Sequence, residues 1–461
     1  MPGYLWDGAL VSGQPCGGLL KKYFGTDGIR GEANRDLTPE LALRLGKAAV
    51  IAFGGPGCRV VVGRDTRQSG PMLEDALVAG LLSQGATVLL AGVIPTPAVA
   101  FLTEEFEATS GVVISASHNP FNDNGIKFFG PGGVKLPDDV EKAIEEQFEQ
   151  ADGPGDGGPV GEVALIEDAE DLYLSHLLEC VNFDLEGYKV ALDCANGAAY
   201  RVSPRAFGKL GASVEELSVE PDGLNINRDC GSTHPEAVTS LVTSWSADMG
   251  FALDGDADRC ICVDETGEVR DGDFVMSMVA AYLKERDLLH PPMVVSTVMS
   301  NLGFYRALSE IGVASEQTPV GDRYVLERMM ETGALLGGEQ SGHIIFGEHA
   351  STGDGTLTAL MVAGIVRDTG ETLSSLCRNM KKYPQVLLNV RPKSGRRLKP
   401  EMSVWVTIER YESELGDRGR ILVRSSGTEP VERIMVEAVS ERKAEEIAGA
   451  IADAILAELD H

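Results

Sequence analysis

The chain has no apolar run long enough to span a membrane, because Gly, Pro, Ser or Gln interrupts each long hydrophobic stretch. Its first twenty residues lack the basic start and apolar centre of a secretory signal and read as a dispensable extension. Cysteine forms no Cys-x-x-Cys pair: Cys16, Cys58, Cys180, Cys194, Cys230, Cys260, Cys262 and Cys377 are scattered. That spacing points to reduced, mostly buried thiols in the cytoplasm rather than to a disulfide framework. Cys260 and Cys262, the one close pair, share a face of an apparent strand and read as core. Positive charge is scarce as well, 40 Lys and Arg against 70 Asp and Glu, a formal net charge of −30. Nucleic acid and anionic membrane surfaces are repelled by such a balance, so neither is an expected partner. An anionic ligand would require Arg and Lys concentrated at its site. Gly-x-x-x-x-Gly-Lys-Ser/Thr is missing, which excludes an ordinary nucleotide P-loop. Gly-x-Ser-x-Gly is missing around Ser117, which excludes the esterase elbow. Gly153, Gly155 and Gly158 spell Gly-x-Gly-x-x-Gly, but no strand leads in and no helix opens after them, so a dinucleotide site is discounted.

What is present is the composition of a globular chain. The 461 residues are 43% hydrophobic and 24% charged, enough for about three or four domains with sizeable cores. The 54 glycines suit many strand-to-helix turns. Thr38-Pro39-Glu40 starts a helix with an N-cap and Pro at its first position. A strand over Arg59–Gly63, a helix over about Met72–Gln84 and a strand over Ala86–Leu90 follow, a βαβ pattern. The apolar run Val112-Val113-Ile114 is a further strand, and it delivers Ser115-Ala116-Ser117-His118-Asn119-Pro120 into a turn-rich loop. An acidic Gly/Pro stretch over 152–159 reads as a linker or long loop. Strands over Lys189–Asp193 and Met249–Leu253 belong to a second α/β unit, closed by a hairpin through Glu265–Glu268. A third has a strand over Met293–Thr297. From about Pro384, strands around Val404–Ile408 and Arg420–Val423 and a closing helix from Glu441 make a small α+β unit.

Four loops carry chemistry. Ser117, at a strand exit with His118 beside it and Lys127 ten residues on, suggests a nucleophile flanked by proton-handling groups; a turn serine is the alternative. Asp254, Asp256 and Asp258 alternate with small residues, so three hard oxygens can face one point, where they repel unless a cation lies between them. An EF-hand is disfavoured because Arg259 stands where that loop requires Gly. An acidic surface turn remains open, as does an aspartate-nucleophile phosphatase, which also begins with an apolar strand ending in Asp-x-Asp. Gly338-Glu339-Gln340-Ser341-Gly342-His343 offers a carboxylate, an amide, a hydroxyl and an imidazole, a set that matches sugar hydroxyls. His343 is a candidate general base or a structural histidine. Arg424-Ser425-Ser426-Gly427-Thr428 reads as a phosphate cradle or a plain strand-to-helix turn. Arg30, the cation of the Gly-rich loop Tyr23 to Gly31, is a further candidate phosphate contact.

Phe24 to Gly31, Ser115 to Pro120 with Asn124 to Phe128, Asp254 to Arg259, Gly338 to His343 and Arg424 to Pro430 together resemble the α-D-phosphohexomutase family, in the family's order, over about residues 21 to 461. The Gln340 form of the third loop, followed by Ser351-Thr352-Gly353-Asp354-Gly355, is similar to the branch acting on glucosamine phosphates. The resemblance implies three similar α/β domains with mixed sheets and a smaller C-terminal α+β domain around a central cleft. Boundaries are expected at 21–170, 171–270, 271–383 and 384–461, after the extension 1–20. It implies that Ser117 carries a phosphoryl group, that Asp254, Asp256 and Asp258 hold one Mg²⁺ together with a phosphoserine oxygen at Ser117, and that Arg30, Lys127, Arg259, His118 and His343 stabilise the reacting phosphate or move protons. Glu339 and Ser341 are implied to hold sugar hydroxyls, and Arg424, Ser426, Gly427 and Thr428 the phosphate not being transferred. The expected reaction interconverts 6- and 1-phosphates of glucosamine through a sugar 1,6-bisphosphate, in a monomer or homodimer. Glucose or mannose phosphates are the alternative substrates.

Overall fold

The computed structural model describes residues 23–25, 27–150, 158–425 and 431–460, the side chains of 149 and 150 excepted. The local capping rule holds at the start of several helices. Thr38 accepts the Leu41 N–H to cap the helix Pro39–Ala52, Asp271 accepts from Phe274 N–H at the head of Gly272–Glu285, and Asp354 from Leu357 N–H at the head of Gly355–Thr369.

Four sheets follow. The first has six strands, ordered Ile29–Glu32, Asp123–Phe129, Ser110–Ile114, Arg59–Arg64, Thr87–Val93 and Glu162–Leu165. Its last four strands are mutually parallel, while Asp123–Phe129 runs antiparallel to Ser110–Ile114. The second has five strands, with Lys189–Asp193 parallel to Ser213–Leu217 and Met249–Leu253, and Cys260–Asp264 antiparallel to the latter. In the third, Met293–Thr297 is parallel to Ala314–Thr318 and Leu336–Gly338, and Ile344–Phe346 is antiparallel to Leu336–Gly338. The fold is therefore three α/β units with mixed sheets and a smaller unit built on an all-antiparallel sheet of Gln385–Val390, Glu432–Glu437 and Arg420–Ser425.

One topological position recurs. In each of the first three sheets a parallel strand is followed by its antiparallel neighbour, and the connection between them is a loop singled out by its chemistry. Ser117 lies between Ser110–Ile114 and Asp123–Phe129, Asp254 to Asp258 between Met249–Leu253 and Cys260–Asp264, and Glu339 to His343 between Leu336–Gly338 and Ile344–Phe346. Loops outside strand ends are where open α/β sheets present ligands.

The three α/β units share an apolar core that runs from Val61 and Tyr173 through Phe251 to Leu360, and the first unit has a second, between Phe24 and Phe148, on the other side of its sheet. The C-terminal unit has its own, between Val390 and Leu459, and meets the third unit through polar contacts. The buried Glu437 carboxylate accepts from Asn301 Nδ2 (3.0 Å), Leu302 N–H (2.9 Å) and Arg420 Nε (2.7 Å).

The structure corrects one element. The strand expected around Val404–Ile408 is the first half of a helix, Val404–Leu415. Its buried residues, Val404, Ile408 and Leu415, have helical spacing, whereas Val406, which created the apparent alternation, is 69% exposed. Among the described residues no helix is long and apolar enough to cross a membrane. The expected linker lies mostly outside the described residues.

Candidate active site

Ser117 stands three residues past its strand with φ +52°, a left-handed conformation that non-glycine residues adopt only when their surroundings hold it. Its N–H donates to Ser115 Oγ (2.9 Å), and Ser115 Oγ–H donates to the buried Asp65 (2.7 Å). Its carbonyl is met closely by the second sheet's loop: a Cβ on Gly255 would lie 2.6 Å from that oxygen, so only glycine permits the approach. The result is that Ser117 Oγ donates to Asp254 Oδ2 at 2.5 Å across 137 residues of sequence.

Asp254, Asp256 and Asp258 are 0%, 0% and 4% exposed, and their nearest carboxylate oxygens lie within 4.8 Å of one another. Neighbouring units fix their loop, with Thr96 N–H donating to the Asp256 carbonyl (2.9 Å) and Gly355 N–H to the Ala257 carbonyl (2.9 Å). Asp256 Oδ1 and Asp258 Oδ1 are buried without a hydrogen-bond donor among the described residues. Buried carboxylate oxygens without donors are expensive, and two of them within a cluster of three buried carboxylates fit a hard divalent cation such as Mg²⁺. Burial, and then the charges of Asp258 and Asp256, push the Asp254 carboxyl well above the usual range. Asp258 moves the other way. Burial opposes ionisation there, but Lys127, His343 and Arg259 outweigh it.

Cations converge on the same point. Lys127 Nζ is 2.8 Å from Asp256, 3.1 Å from Asp27 and 3.6 Å from Asp258. Burial alone would lower its pKa; Asp256, Asp27 and Asp258 reverse that and hold it protonated. Arg259 Nη1 lies 3.1 Å from His118 Nδ1, which is 3.2 Å from Ser117 Oγ. Because Arg only donates, His118 accepts through Nδ1. Burial, Arg259 and Arg30 push its pKa down to about 4, so the ring is neutral. Arg30 is held by Asp27. Arg30 Nε and Arg259 Nε are buried without a hydrogen-bond acceptor among the described residues, and Arg259 Nε faces Asp258 Oδ1 at 3.7 Å.

His343 is 2% exposed. Its Nε2 accepts the Gly353 N–H (2.9 Å), and Nδ1 faces Asp258 at 3.6 Å. Burial lowers its pKa, but Asp258, Asp322 and Glu339 raise it overall, while the Gly353 donor, which needs the Nε2 lone pair, favours the neutral ring. Both ring nitrogens thus face protein groups. Glu339 accepts the Gly321 N–H (3.2 Å) and the Ser341 hydroxyl (3.4 Å). Arg424 lies on the C-terminal sheet directly across from Arg433. Burial and that like charge lower its pKa, a pairing that favours a bound anion. Ser426, Gly427 and Thr428 lie outside the described residues.

Sequence reading missed several partners. Asp27 joins Lys127, Lys135 and Arg30, and Lys135 also pairs with Asp322, next to His343. Thr96 donates to Asp256 Oδ2 at 2.7 Å. The one available signal was Asp27 in the same Gly-rich loop as Arg30, a carboxylate three residues before the cation.

Known proteins share this domain organisation. Residues 21–154, 171–267 and 271–383 match phosphoglucomutase/phosphomannomutase α/β/α domains I, II and III, and residues 387–454 match its C-terminal domain. The phosphoglucosamine mutase of Desulforamulus reducens is 51% identical over 423 residues, covering 91% of this chain and 95% of that one. That of Pelotomaculum thermopropionicum is 52% identical over 442 residues, covering 95% and 99%. Among solved structures, a phosphoglucomutase/phosphomannomutase family protein from Burkholderia thailandensis superposes with a TM-score of 0.79 at 25% identity, covering 94% and 97%. Aspergillus fumigatus N-acetylphosphoglucosamine mutase, solved with GlcNAc-6P and magnesium, shares the fold with a TM-score of 0.66 at 17% identity, covering 95% and 96%. The chain therefore belongs to the α-D-phosphohexomutase family and is an enzyme of that isomerase class, with phosphoglucosamine mutases as relatives at about half identity.

Proposed function

We propose that this chain interconverts glucosamine 6-phosphate and glucosamine 1-phosphate through a phosphorylated Ser117 and a glucosamine 1,6-bisphosphate that serves as intermediate and activator. The observation that carries the reading is the set of orphaned buried atoms around Ser117. Among the described residues two carboxylate oxygens lack donors and two guanidinium nitrogens lack acceptors within hydrogen-bond distance, with Asp258 Oδ1 and Arg259 Nε left 3.7 Å apart. A phosphoserine beside a divalent cation satisfies both. The relatives named above supply the sugar.

Asp254, Asp256 and Asp258 would hold Mg²⁺, with an oxygen of the Ser117 phosphate. The ion supplies positive charge that offsets the carboxylates and the transferring phosphoryl group. The loose transition state of phosphoryl transfer asks for position and charge more than for a strong base. A substrate hydroxyl oxygen bonds to phosphorus as the bond to Ser117 Oγ breaks, and the hydroxyl proton passes to the departing Ser117 Oγ, restoring the serine hydroxyl. Lys127, held protonated, and Arg30 and Arg259 stabilise the negative charge as it shifts. His118, neutral and accepting through Nδ1, holds the Arg259 guanidinium beside Oγ, and His343 orients Asp258. Glu339 and Ser341 take sugar hydroxyls, and Arg424, with Ser426, Gly427 and Thr428, takes the phosphate that is not moving. The bisphosphate then turns around, and its other phosphoryl group returns to Ser117 Oγ. The four domains are assigned to 21–170, 171–270, 271–383 and 384–461. The last, which has a core of its own, closes over the substrate and keeps water from the phosphoserine.

Substrate choice is tested by kcat/KM on the 6-phosphates of glucosamine, glucose and mannose. Glucosamine is expected to lead by at least about tenfold, the lower end of the discrimination that a single substituent supports. A lead for glucose or mannose reassigns the sugar while leaving the phosphoserine chemistry intact.

A further inference from the structure

Arg67 belongs to the turn after the strand Arg59–Arg64 and touches none of the orphaned atoms of the site. Yet it is 1% exposed, and every N–H of its guanidinium is spent on one task. Nε donates to Asp65 Oδ2 at 2.8 Å. Nη1 donates to the Pro120 carbonyl and, at 2.9 Å, to the Asp123 carbonyl. Nη2 donates to the carbonyls of Ser117 (2.9 Å) and Asn119 (2.8 Å). A guanidinium has five such donors in a rigid fork. Four of them gather the carbonyls of the loop that carries Ser117, and the fifth locks the fork to a carboxylate. That carboxylate reaches the loop a second time, since Asp65 Oδ2 accepts from Ser115 Oγ, which accepts the Ser117 N–H. From the second unit, Asn227 Nδ2 donates to two of the same carbonyls, Ser117 (2.8 Å) and Asn119 (3.0 Å).

We infer that Arg67, with Asn227 as its counterpart across the unit boundary, is a positioning residue for phosphoryl transfer: it holds the Ser117 loop in the left-handed backbone conformation that aims Oγ into the carboxylate cluster. The inference rests on the reading of Ser117 as phosphoryl carrier. A residue at φ +52° relaxes toward ordinary backbone unless its carbonyl is pinned, and here two units pin the same oxygen. In-line transfer depends on the placement of Oγ to within about 1 Å, and a misplacement of that size lowers rates by about 10²-fold. Substrate contacts come from other loops, so the loss belongs in kcat. Lysine keeps the charge that pairs with Asp65 but has three donors on one nitrogen and cannot reproduce the fork.

The test uses the full-length chain as wild type, Arg67→Lys and Asn227→Ala, with kcat and KM for glucosamine 6-phosphate measured at saturating bisphosphate and Mg²⁺. Arg67→Lys is expected to lower kcat by about 100-fold with KM within about threefold of wild type, and Asn227→Ala to lower kcat by about tenfold with the same split. Thermal melting reports whether each variant folds. If Arg67→Lys does not fold, Asn227→Ala decides alone. A folded Arg67→Lys with kcat within about threefold of wild type, or a loss carried by KM, overturns the inference, as does an unchanged kcat in Asn227→Ala. Wild-type protein without mutase turnover defeats the functional reading instead, and so separates the two failures.

Discussion

Replacing Ser117 by alanine is expected to abolish isomerisation, with turnover falling at least about 10⁴-fold while the chain still folds. Ser117 is fully buried, and its hydroxyl makes two contacts, to Asp254 Oδ2 at 2.5 Å and to His118 Nδ1 at 3.2 Å. Alanine tolerates the same backbone about as well as serine, and the lost contacts amount to about 1–3 kcal/mol, small for three units that share an apolar core. The Thr96 hydroxyl, also in the cluster, is committed to Asp256 Oδ2 at 2.7 Å, and Ser117 is the hydroxyl proposed to carry the phosphoryl group between the two ends of the sugar. Activity therefore depends on this oxygen in a way that stability does not. Phosphosugar binding persists, since the residues assigned to sugar and distal phosphate lie on other loops. Steady-state turnover together with calorimetric binding checks both halves. A variant that keeps more than about 1% of wild-type turnover removes Ser117 from the mechanism.

Removing the divalent cation is the second large effect. Two ionised carboxylates about 4.8 Å apart repel by about 3.5 kcal/mol at an effective dielectric constant near 20. Lys127 and Arg259 offset only part of that, because their own remaining contacts are shared with Asp27 and His118. A chelator is expected to lower turnover at least about 10³-fold, and added Mg²⁺ to restore it. Asp258→Asn, which keeps the side-chain shape, weakens the Mg²⁺ dependence of turnover by at least about 100-fold. A readout independent of catalysis exists. At about 100 times its dissociation constant Mg²⁺ stabilises the native chain by about 2.7 kcal/mol, seen as a raised melting temperature in wild type and absent in Asp258→Asn. Full turnover in chelator, or equal Mg²⁺ stabilisation of both proteins, contradicts the assignment of the three aspartates.

The parts of this site that were legible in the sequence are those whose chemistry and backbone are written in adjacent residues. A β-branched run ending in Ser/His/Asn, or an apolar run ending in Asp-x-Asp-x-Asp, states both the strand and what leaves it. Asn124 and Gly125 show the limit. Their letters read as turn, yet they lie in the strand Asp123–Phe129, paired antiparallel with Gly31 and Arg30. Pairing with a distant segment outweighed local preference, and Gly125 is required there because a Cβ would lie 2.5 Å from the Ser115 carbonyl. Val404–Leu415 failed for the opposite reason: Val404, Val406 and Ile408 alternate like a strand, and the helix is distinguished by the 69% exposure of Val406 and the burial of Leu415. Arg67, Asp27 and Lys135 were illegible as parts of the site because their partners are 50, 100 and 187 residues away, at Ser117, Lys127 and Asp322. Sheet order creates those neighbours, and no local pattern encodes it.

The central claim is that Ser117 hands its phosphoryl group to the sugar and receives one back. The most direct measurement loads the chain with radiolabelled phosphate on Ser117, mixes it with unlabelled glucosamine 6-phosphate in Mg²⁺, and follows the label in a single turnover. The account predicts label first in glucosamine 1,6-bisphosphate and then in the monophosphates, with little in inorganic phosphate. Label released as inorganic phosphate, or carried on Asp254 as an acid-labile acyl phosphate, would contradict it and indicate a phosphatase.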